Sequence, residues 1–312
     1  MNASTLPPKG HTAVQWIVRL AALMALAVAV LAGYVVLVLI PGLPTLDALT
    51  DYRPKLPLRV YTADNVLIGE FGQERRDFVA IADTPVLMKN ALLSIEDSRF
   101  YTHSGVDFIG LARALVADLT GGVKQGASTI TMQVARNFFL TQERTLTRKL
   151  KEALLTYRIE EALTKDQILE LYMNQIYLGQ RSYGFSSAAR TYFGKSLPEL
   201  SIAQAAMLAG VPQNPARHNP AVNPERAQQR QRLVLKSMLR LGYITQAQFT
   251  QAIAERIAVK DGPAFEGHGA FVAEMVRQSM FTQYQDAAYT MGLKVVTTIN
   301  QAEQLAAYES VR

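Results

Sequence analysis

Between Leu20 and Ile40 the chain carries no charged residue. At ~1.5 Å of rise per residue, a helix over that run reaches across the ~30 Å hydrocarbon layer of a bilayer. A helix that is apolar on every side needs a large core or lipid around it, and this one sits at the very start of the chain. A cleaved export signal has a shorter apolar centre, ~7–15 residues, which favours an anchor that stays in place. Lys9 and Arg19 precede the run and favour a cytoplasmic N-terminus. The expected organisation is a cytoplasmic tail over 1–16 and one transmembrane helix over 17–40, with everything after Pro41 outside the cytoplasm. Residues 41–57, with Pro41, Gly42, Pro44, Pro54 and Pro57, read as a juxtamembrane linker.

The remainder is long enough to bury a sizeable core, since the chain has 312 residues, 49% of them hydrophobic. Cysteine is absent, which excludes a disulfide framework and thiol chemistry. The four histidines, His11, His103, His218 and His268, are scattered, and no pair has metal-ligand spacing. That argues against a zinc site. The net charge is +6, and the excess is local. Lys124, Arg136, Arg144, Arg148, Lys149, Lys151 and Arg158 share their stretch with only Glu143 and Glu152. Such a concentration suits phosphates, anionic lipid or nucleic acid, or it is an ordinary solvated helix face.

Leu58–Thr62 and Val66–Phe71, split by Ala63-Asp64-Asn65, predict a β-hairpin. Helices then dominate. Thr84 as N-cap with Pro85 behind it predicts a helix start, with Leu87, Ala91 and Ile95 as its buried stripe. Phe108, Leu111, Ala112, Leu115 and Leu119 repeat at helical spacing up to Gly121-Gly122. Leu146, Leu150, Ala153, Leu154 and Tyr157 mark the apolar side of another helix, with Arg148 and Glu152 on its polar side. Thr164 with Gln167, Ser201 with Gln204, and Thr245 with Gln248 have the spacing of capping boxes. Residues 84 to about 255 thus form one mainly α unit, and Gly292–Ile299 reads as a strand that opens a further one.

Chemistry concentrates in two stretches. Glu96-Asp97-Ser98-Arg99-Phe100-Tyr101-Thr102-His103-Ser104-Gly105 crowds two adjacent carboxylates, an arginine and a histidine at the end of an apolar helix. Like charges side by side raise one carboxylate's pKa, and a helix C-terminus disfavours negative charge. Both effects suit Glu96 to act as a base. Gly126 to Asn137 then offers the hydroxyls of Ser128, Thr129 and Thr131 and the amide of Gln133 for sugar or phosphate oxygens. A serine nucleophile would need a base partner, for which His103 is the weak candidate. Glu152 is either half of an i,i+4 surface pair with Arg148, worth ~0.5 kcal/mol or less, or a second carboxylate in a basic groove. Phe138-Phe139-Leu140 are core by default, or dip into lipid beside the anchor.

These stretches resemble the signatures of the family 51 peptidoglycan glycosyltransferases. Glu96-Asp97-x-x-Phe100-x-x-His103-x-Gly105 looks like the first. Gly126-x-Ser128-Thr129-Ile130-x-x-Gln133-x-x-Arg136-Asn137 is similar to the second, and Arg148-Lys149-x-x-Glu152 to the third. Lys165-x-x-Ile168-Leu169-Glu170-x-Tyr172-x-Asn174, running on to Gly179, resembles the fourth. Leu208-Ala209-Gly210-Val211-Pro212-Gln213 with Asn219-Pro220 resembles the fifth. Met132 and Arg136 depart from the family's usual glutamine and lysine, and Asp118 stands where asparagine is commoner. Arginine keeps the charge and grips phosphate bidentately.

The resemblance implies a mainly α, lysozyme-like glycosyltransferase domain over 58–255 with a small β-hairpin, held at the outer, periplasmic face of a bacterial inner membrane by a single span. It implies that lipid II is polymerised into glycan strands by inverting transfer to a sugar 4-hydroxyl, releasing undecaprenyl pyrophosphate. In that scheme Glu96 is the base and Glu152 the second catalytic carboxylate, orienting the donor or a bound cation. Lys124, Ser128, Thr129, Gln133, Arg136, Asn137, Arg144 and Arg148 bind substrate, and Asp97, Phe100, His103 and Gly105 support the loop around Glu96. No cofactor is firmly implied; a divalent cation, magnesium or manganese, is the one the resemblance leaves open. Partners are lipid II, the growing strand, the bilayer and other cell-wall synthesis proteins, with no nucleic acid. A lysozyme-like hydrolase and a non-catalytic cell-wall binding module are the competing classes. Residues 256–312, with Phe271-Val272-x-Glu274 and Gly292–Ile299, resemble the link to the transpeptidase domain of class A penicillin-binding proteins. No Ser-x-x-Lys occurs, so the chain is expected to end before that domain.

Overall fold

The computed structural model describes residues 10–50, 52, 54–119, 128–140, 145–260 and 268–311. Helix α1 (Gly10–Tyr34) continues through a π-helical turn over Val35–Leu39. The span Val14–Leu39 is long and apolar enough to cross a membrane, and its side chains stand exposed to the surroundings. Beyond it the chain folds back onto the domain. Leu39 and Leu49, the latter in the single turn α2 (Asp47–Thr50), are buried, and Leu43, Leu46 and Tyr52 pack against the main core.

The expected hairpin forms from β1 (Leu58–Tyr61) and β2 (Leu67–Phe71), antiparallel with Leu58 opposite Phe71. Asn65 turns the chain with φ of 63°, a conformation asparagine tolerates better than most residues. A short β3 (Arg75–Arg76) pairs in parallel with β4 (Ser182–Tyr183). Between and beyond them lie α3 (Val86–Glu96), α4 (Phe108–Leu119), α5 (Ile130–Phe139), α6 (Leu146–Ala162), α7 (Lys165–Gln175), α8 (Phe185–Phe193), α9 (Ile202–Gly210), α10 (Pro224–Arg240) and α11 (Gln246–Ala254). After α12 (Ala270–Tyr284), strand β5 (Lys294–Val296) precedes α13 (Gln301–Val311).

Helix α9 is the axis of the main core. Its Ala203, Ala205, Ala206, Leu208 and Ala209 are buried, and small side chains there let α3 and α10 approach closely from two sides. A second layer sandwiches α5 between α6 and α7, where Ile130, Leu155, Ile159 and Ile168 are fully buried. Each such side chain contributes about 1.5–3 kcal/mol of burial. All three capping boxes form: Thr164 with Gln167, Ser201 with Gln204 and Thr245 with Gln248.

Four sequence expectations change. The residue capping α3 is Pro85, and Thr84 bonds back to the Ala80 carbonyl. The α3 stripe runs through Met88, Ala91 and Leu92, because α3 packs against both α9 and α10 and buries a wider face than one stripe. On α6 the buried side is Glu152, Leu155, Thr156 and Ile159, whereas Leu146 and Tyr157 are 87% and 61% exposed. Packing against α5 sets that rotation, and it leaves Leu150, Ala153 and Leu154 of the expected stripe only half-buried. Finally, β5, read from sequence as opening a further unit, joins β1 in parallel, Arg59 opposite Lys294, in a sheet ordered β2-β1-β5. Leu58, Val60, Ile68 and Ala273 form a small core of their own beneath that sheet and α12.

Candidate active site

Helix α3 ends at Glu96, on the floor of a cleft of about 560 Å³. One wall is Ser128, Thr129 and the first turns of α5; the other is α10, with Pro212 and Gln213 closing one end. The Glu96 side chain is only 10% exposed. Burial pushes its pKa up, as does the neighbouring Asp97, while a hydrogen bond from Gln133 and the charges of Arg230 and Arg136 pull it down; burial prevails. The sequence attributed this shift to the helix end and to Asp97, but desolvation is the larger cause. Gln133 Nε2 donates to Glu96 Oε2 at 2.8 Å, and the guanidinium of Arg230 lies 3.9 Å from Oε1. The second oxygen thus faces a cation without a close hydrogen bond to it, the condition a general base needs to take a proton.

The loop after Glu96 is cross-braced. His103 Nε2 lies 3.0 Å from both carboxylate oxygens of buried Asp97, and Asp97 Oδ2 also accepts from the Ile130 N–H at the start of α5. A carboxylate there favours both the free amide and the positive end of the helix. Thr129 caps α5, accepting from the Met132 N–H while its hydroxyl donates to the Gly105 carbonyl at 2.5 Å. Gly105 has φ of 88°, and a Cβ there would stand 2.7 Å from Thr156 Cγ2. Phe100 is buried with the Lys165 ammonium 4.5 Å over its ring, and Lys165 also binds Glu160. Arg99 pairs with Asp107. His103 is thereby engaged with Asp97, which leaves no support for a serine nucleophile activated by it.

Of the residues singled out from sequence, the structure gathers Glu96, Asp97, Ser128, Thr129, Gln133 and Arg136 around one cleft. Asn137 is exposed, and neither it, Glu152 nor Arg148 lines that cleft. Glu152 is fully buried, where the sequence expected it on the polar face. Arg148 donates to its Oε2 at 3.1 Å and Lys149 to its Oε1 at 2.7 Å, so two cations neutralise it inside the α5–α6 contact. A charge can be buried only with such partners. Phe138 and Phe139 pack partly buried against the core, Phe138 edge-on to Tyr52. Lys124, Arg144 and the side chain of Asp118 lie outside the described residues.

Sequence reading missed the α10 wall. Arg230, Leu233, Ser237 and Arg240 recur every three or four residues and face the cleft, joined by Lys236. The signal was present as basic residues at helical spacing in a segment otherwise read only as part of the mainly α unit. Gly210 of α9 makes room for it, since a Cβ there would meet Arg230 Cγ at 2.8 Å. A second cleft of about 610 Å³ lies between β2 and α12, and none of the predicted site residues lines it.

A buried carboxylate under a cleft lined by arginine and lysine, on a mainly α scaffold, is an enzyme-type site suited to an anionic ligand. Residues 64–239 match the family model described as Transglycosylase. The chain belongs to the transglycosylase family. It is 52% identical over 279 residues to Penicillin-binding protein 1A of Neisseria flavescens, an alignment covering 89% of this chain and 35% of that one. Penicillin-binding protein 1A of Escherichia coli (strain K12) is 47% identical over 274 residues, 87% of this chain and 32% of that one. Among solved structures, Penicillin-Binding Protein 1A from Haemophilus influenzae aligns with 32% identity and a TM-score of 0.47, covering 83% of this chain and 29% of that one. The chain spans about a third of the length of the curated relatives it matches.

Proposed function

We propose that this chain polymerises lipid II into glycan strands as a peptidoglycan glycosyltransferase. The reading rests on Glu96: a carboxylate of raised pKa, held by Gln133 and facing a cleft whose walls carry Arg136, Arg230, Lys236 and Arg240. A sugar hydroxyl is a poor nucleophile at neutral pH, so Glu96 takes its proton as it attacks the anomeric carbon, an effect worth ~10²–10⁴-fold. The leaving undecaprenyl pyrophosphate gains charge in the transition state, and fixed guanidinium groups stabilise it preferentially. Arg136 is the described candidate for that task, with Lys124, Arg144 and Arg148 as further candidates from the resemblance. Ser128, Thr129 and Asn137 remain proposed contacts to the sugars; the Thr129 hydroxyl is already occupied by Gly105, so its contribution is to fix the wall. Glu152 is proposed to act at the donor side through Arg148 and Lys149, which it holds.

Arginine carries the charge of the leaving group in this reading. The anchor is proposed to sit in the bacterial inner membrane with the domain on the periplasmic face. Exposed Leu146 and Tyr157 on α6 support contact with the bilayer, as does the Arg158 hydrogen bond to the Pro44 carbonyl that ties α6 to the juxtamembrane linker. Incubating the purified chain with lipid II, and separately with finished peptidoglycan, tests the reading, each with and without chelator. Polymer from lipid II and no cleavage of peptidoglycan are expected; cleavage without polymer would make the protein a hydrolase.

A further inference from the structure

We propose that Tyr172 is a positioning residue for the base: its hydroxyl fixes the Gln133 amide so that the amide N–H points at Glu96. The inference rests on the functional reading above and extends it to a residue that touches neither substrate nor Glu96.

Tyr172 lies on α7, 1% exposed, between Leu171 and Met173 of the main core. Its hydroxyl donates to Gln133 Oε1 at 3.2 Å, and the other end of the same amide donates to Glu96 Oε2 at 2.8 Å. The three side chains come from three helices, α7, α5 and α3. An amide has one acceptor end and one donor end, so the group that engages the acceptor decides where the donor points. Burial, together with the nearby carboxylates of Glu96 and Asp97, holds the Tyr172 phenol well above its ordinary pKa, so the hydroxyl stays protonated and keeps donating. With the amide thus oriented, the donor end keeps Glu96 Oε2 occupied, while Oε1 faces Arg230 and the cleft. Without the hydroxyl the amide rotates freely, and Glu96 loses the bond that favours its charged form. The other charged groups facing Glu96 are Arg230 from α10, Arg136 from α5 and Asp97 at the end of its own helix, itself bound by His103. None of them bonds the Gln133 amide among the described residues.

Tyr172→Phe removes one oxygen and keeps the ring that fills the core. With lipid II as substrate, the expected result is a kcat lowered about fivefold at neutral pH with KM little changed, the size of one hydrogen bond. The acid limb of the pH profile of kcat/KM should move to higher pH, because a base that has lost a hydrogen bond to its charged form protonates sooner. Tyr172→Phe should cost nothing further in a Gln133→Leu background, and Gln133→Leu alone should move the limb the same way. If Tyr172→Phe does not fold, as judged by circular dichroism, the limb of Tyr172→Met, which also removes the hydroxyl, decides the matter. An unmoved limb, or a Tyr172→Phe loss that adds in full to that of Gln133→Leu, overturns the proposal. Failure of the unaltered chain to make polymer overturns the functional reading instead.

Discussion

At the scale of single residues, Glu96 carries opposed demands. Its folded pKa is raised, so it contributes stability when protonated, at low pH, and that contribution is lost as pH rises through the folded pKa. At neutral pH the charged form therefore costs stability, and Glu96→Gln should raise the urea or thermal unfolding midpoint even as it removes the base. The same shift places the acid limb of the activity profile above the ordinary glutamate range, since the base must be ionised to work; a limb at or below that range would contradict the burial of Glu96. Gly105 is a different case. A φ of 88° and a Cβ clash with Thr156 predict that Gly105→Ala loses about 2 kcal/mol in urea unfolding and loosens the His103 loop. Residue identity was legible in the sequence because Glu96, Asp97, His103 and Gly105 fall within one short run. The cause of the Glu96 shift was not, because desolvation comes from α5 and α10, far along the chain.

At the scale of elements, capping boxes were fully readable, since each depends on residues three apart: Thr164, Ser201 and Thr245 with their glutamines. Helix rotation was not. Periodicity offered α6 an apolar face through Leu146, Leu150 and Tyr157, yet the helix buries Glu152 with Leu155 and Ile159. Arg148 and Lys149 make that burial tolerable, and no count of apolar residues includes such a pairing. Removing the charge leaves Arg148 unanswered beside the core, whereas half-exposed Lys149 still meets solvent. Glu152→Gln is expected to lower unfolding stability by about 2 kcal/mol, and if Glu152 also serves the donor side, to lower kcat after folding is restored at low temperature. The α10 wall was hidden for the opposite reason. Its cationic residues are legible as a stripe, but their destination depends on small residues in α9 such as Gly210.

At the scale of the whole molecule, an apolar span, a linker packed onto the domain and a cationic cleft belong to one arrangement. Leu49 belongs to the main core and Leu43, Leu46 and Tyr52 pack against it, so the segment after the span is tied to the domain. Deleting residues 1–38 is expected to leave the helical circular dichroism signal intact. On lipid II in vesicles it should lower polymerisation at least tenfold, through lost effective concentration, with much of the rate recovered in detergent. The mainly α class, the hairpin and the long apolar N-terminal helix were readable from pattern alone. The pairing of β5 with β1 was not, because more than two hundred residues separate Arg59 from Lys294 and no local signal links them.

The central claim is that Glu96 accepts the proton of the attacking sugar hydroxyl. The most direct measurement is the polymerisation rate of Glu96→Gln on lipid II, taken together with its affinity for the same lipid. The account predicts a rate lowered at least ~100-fold with binding retained. Polymerisation at the unaltered rate would contradict it.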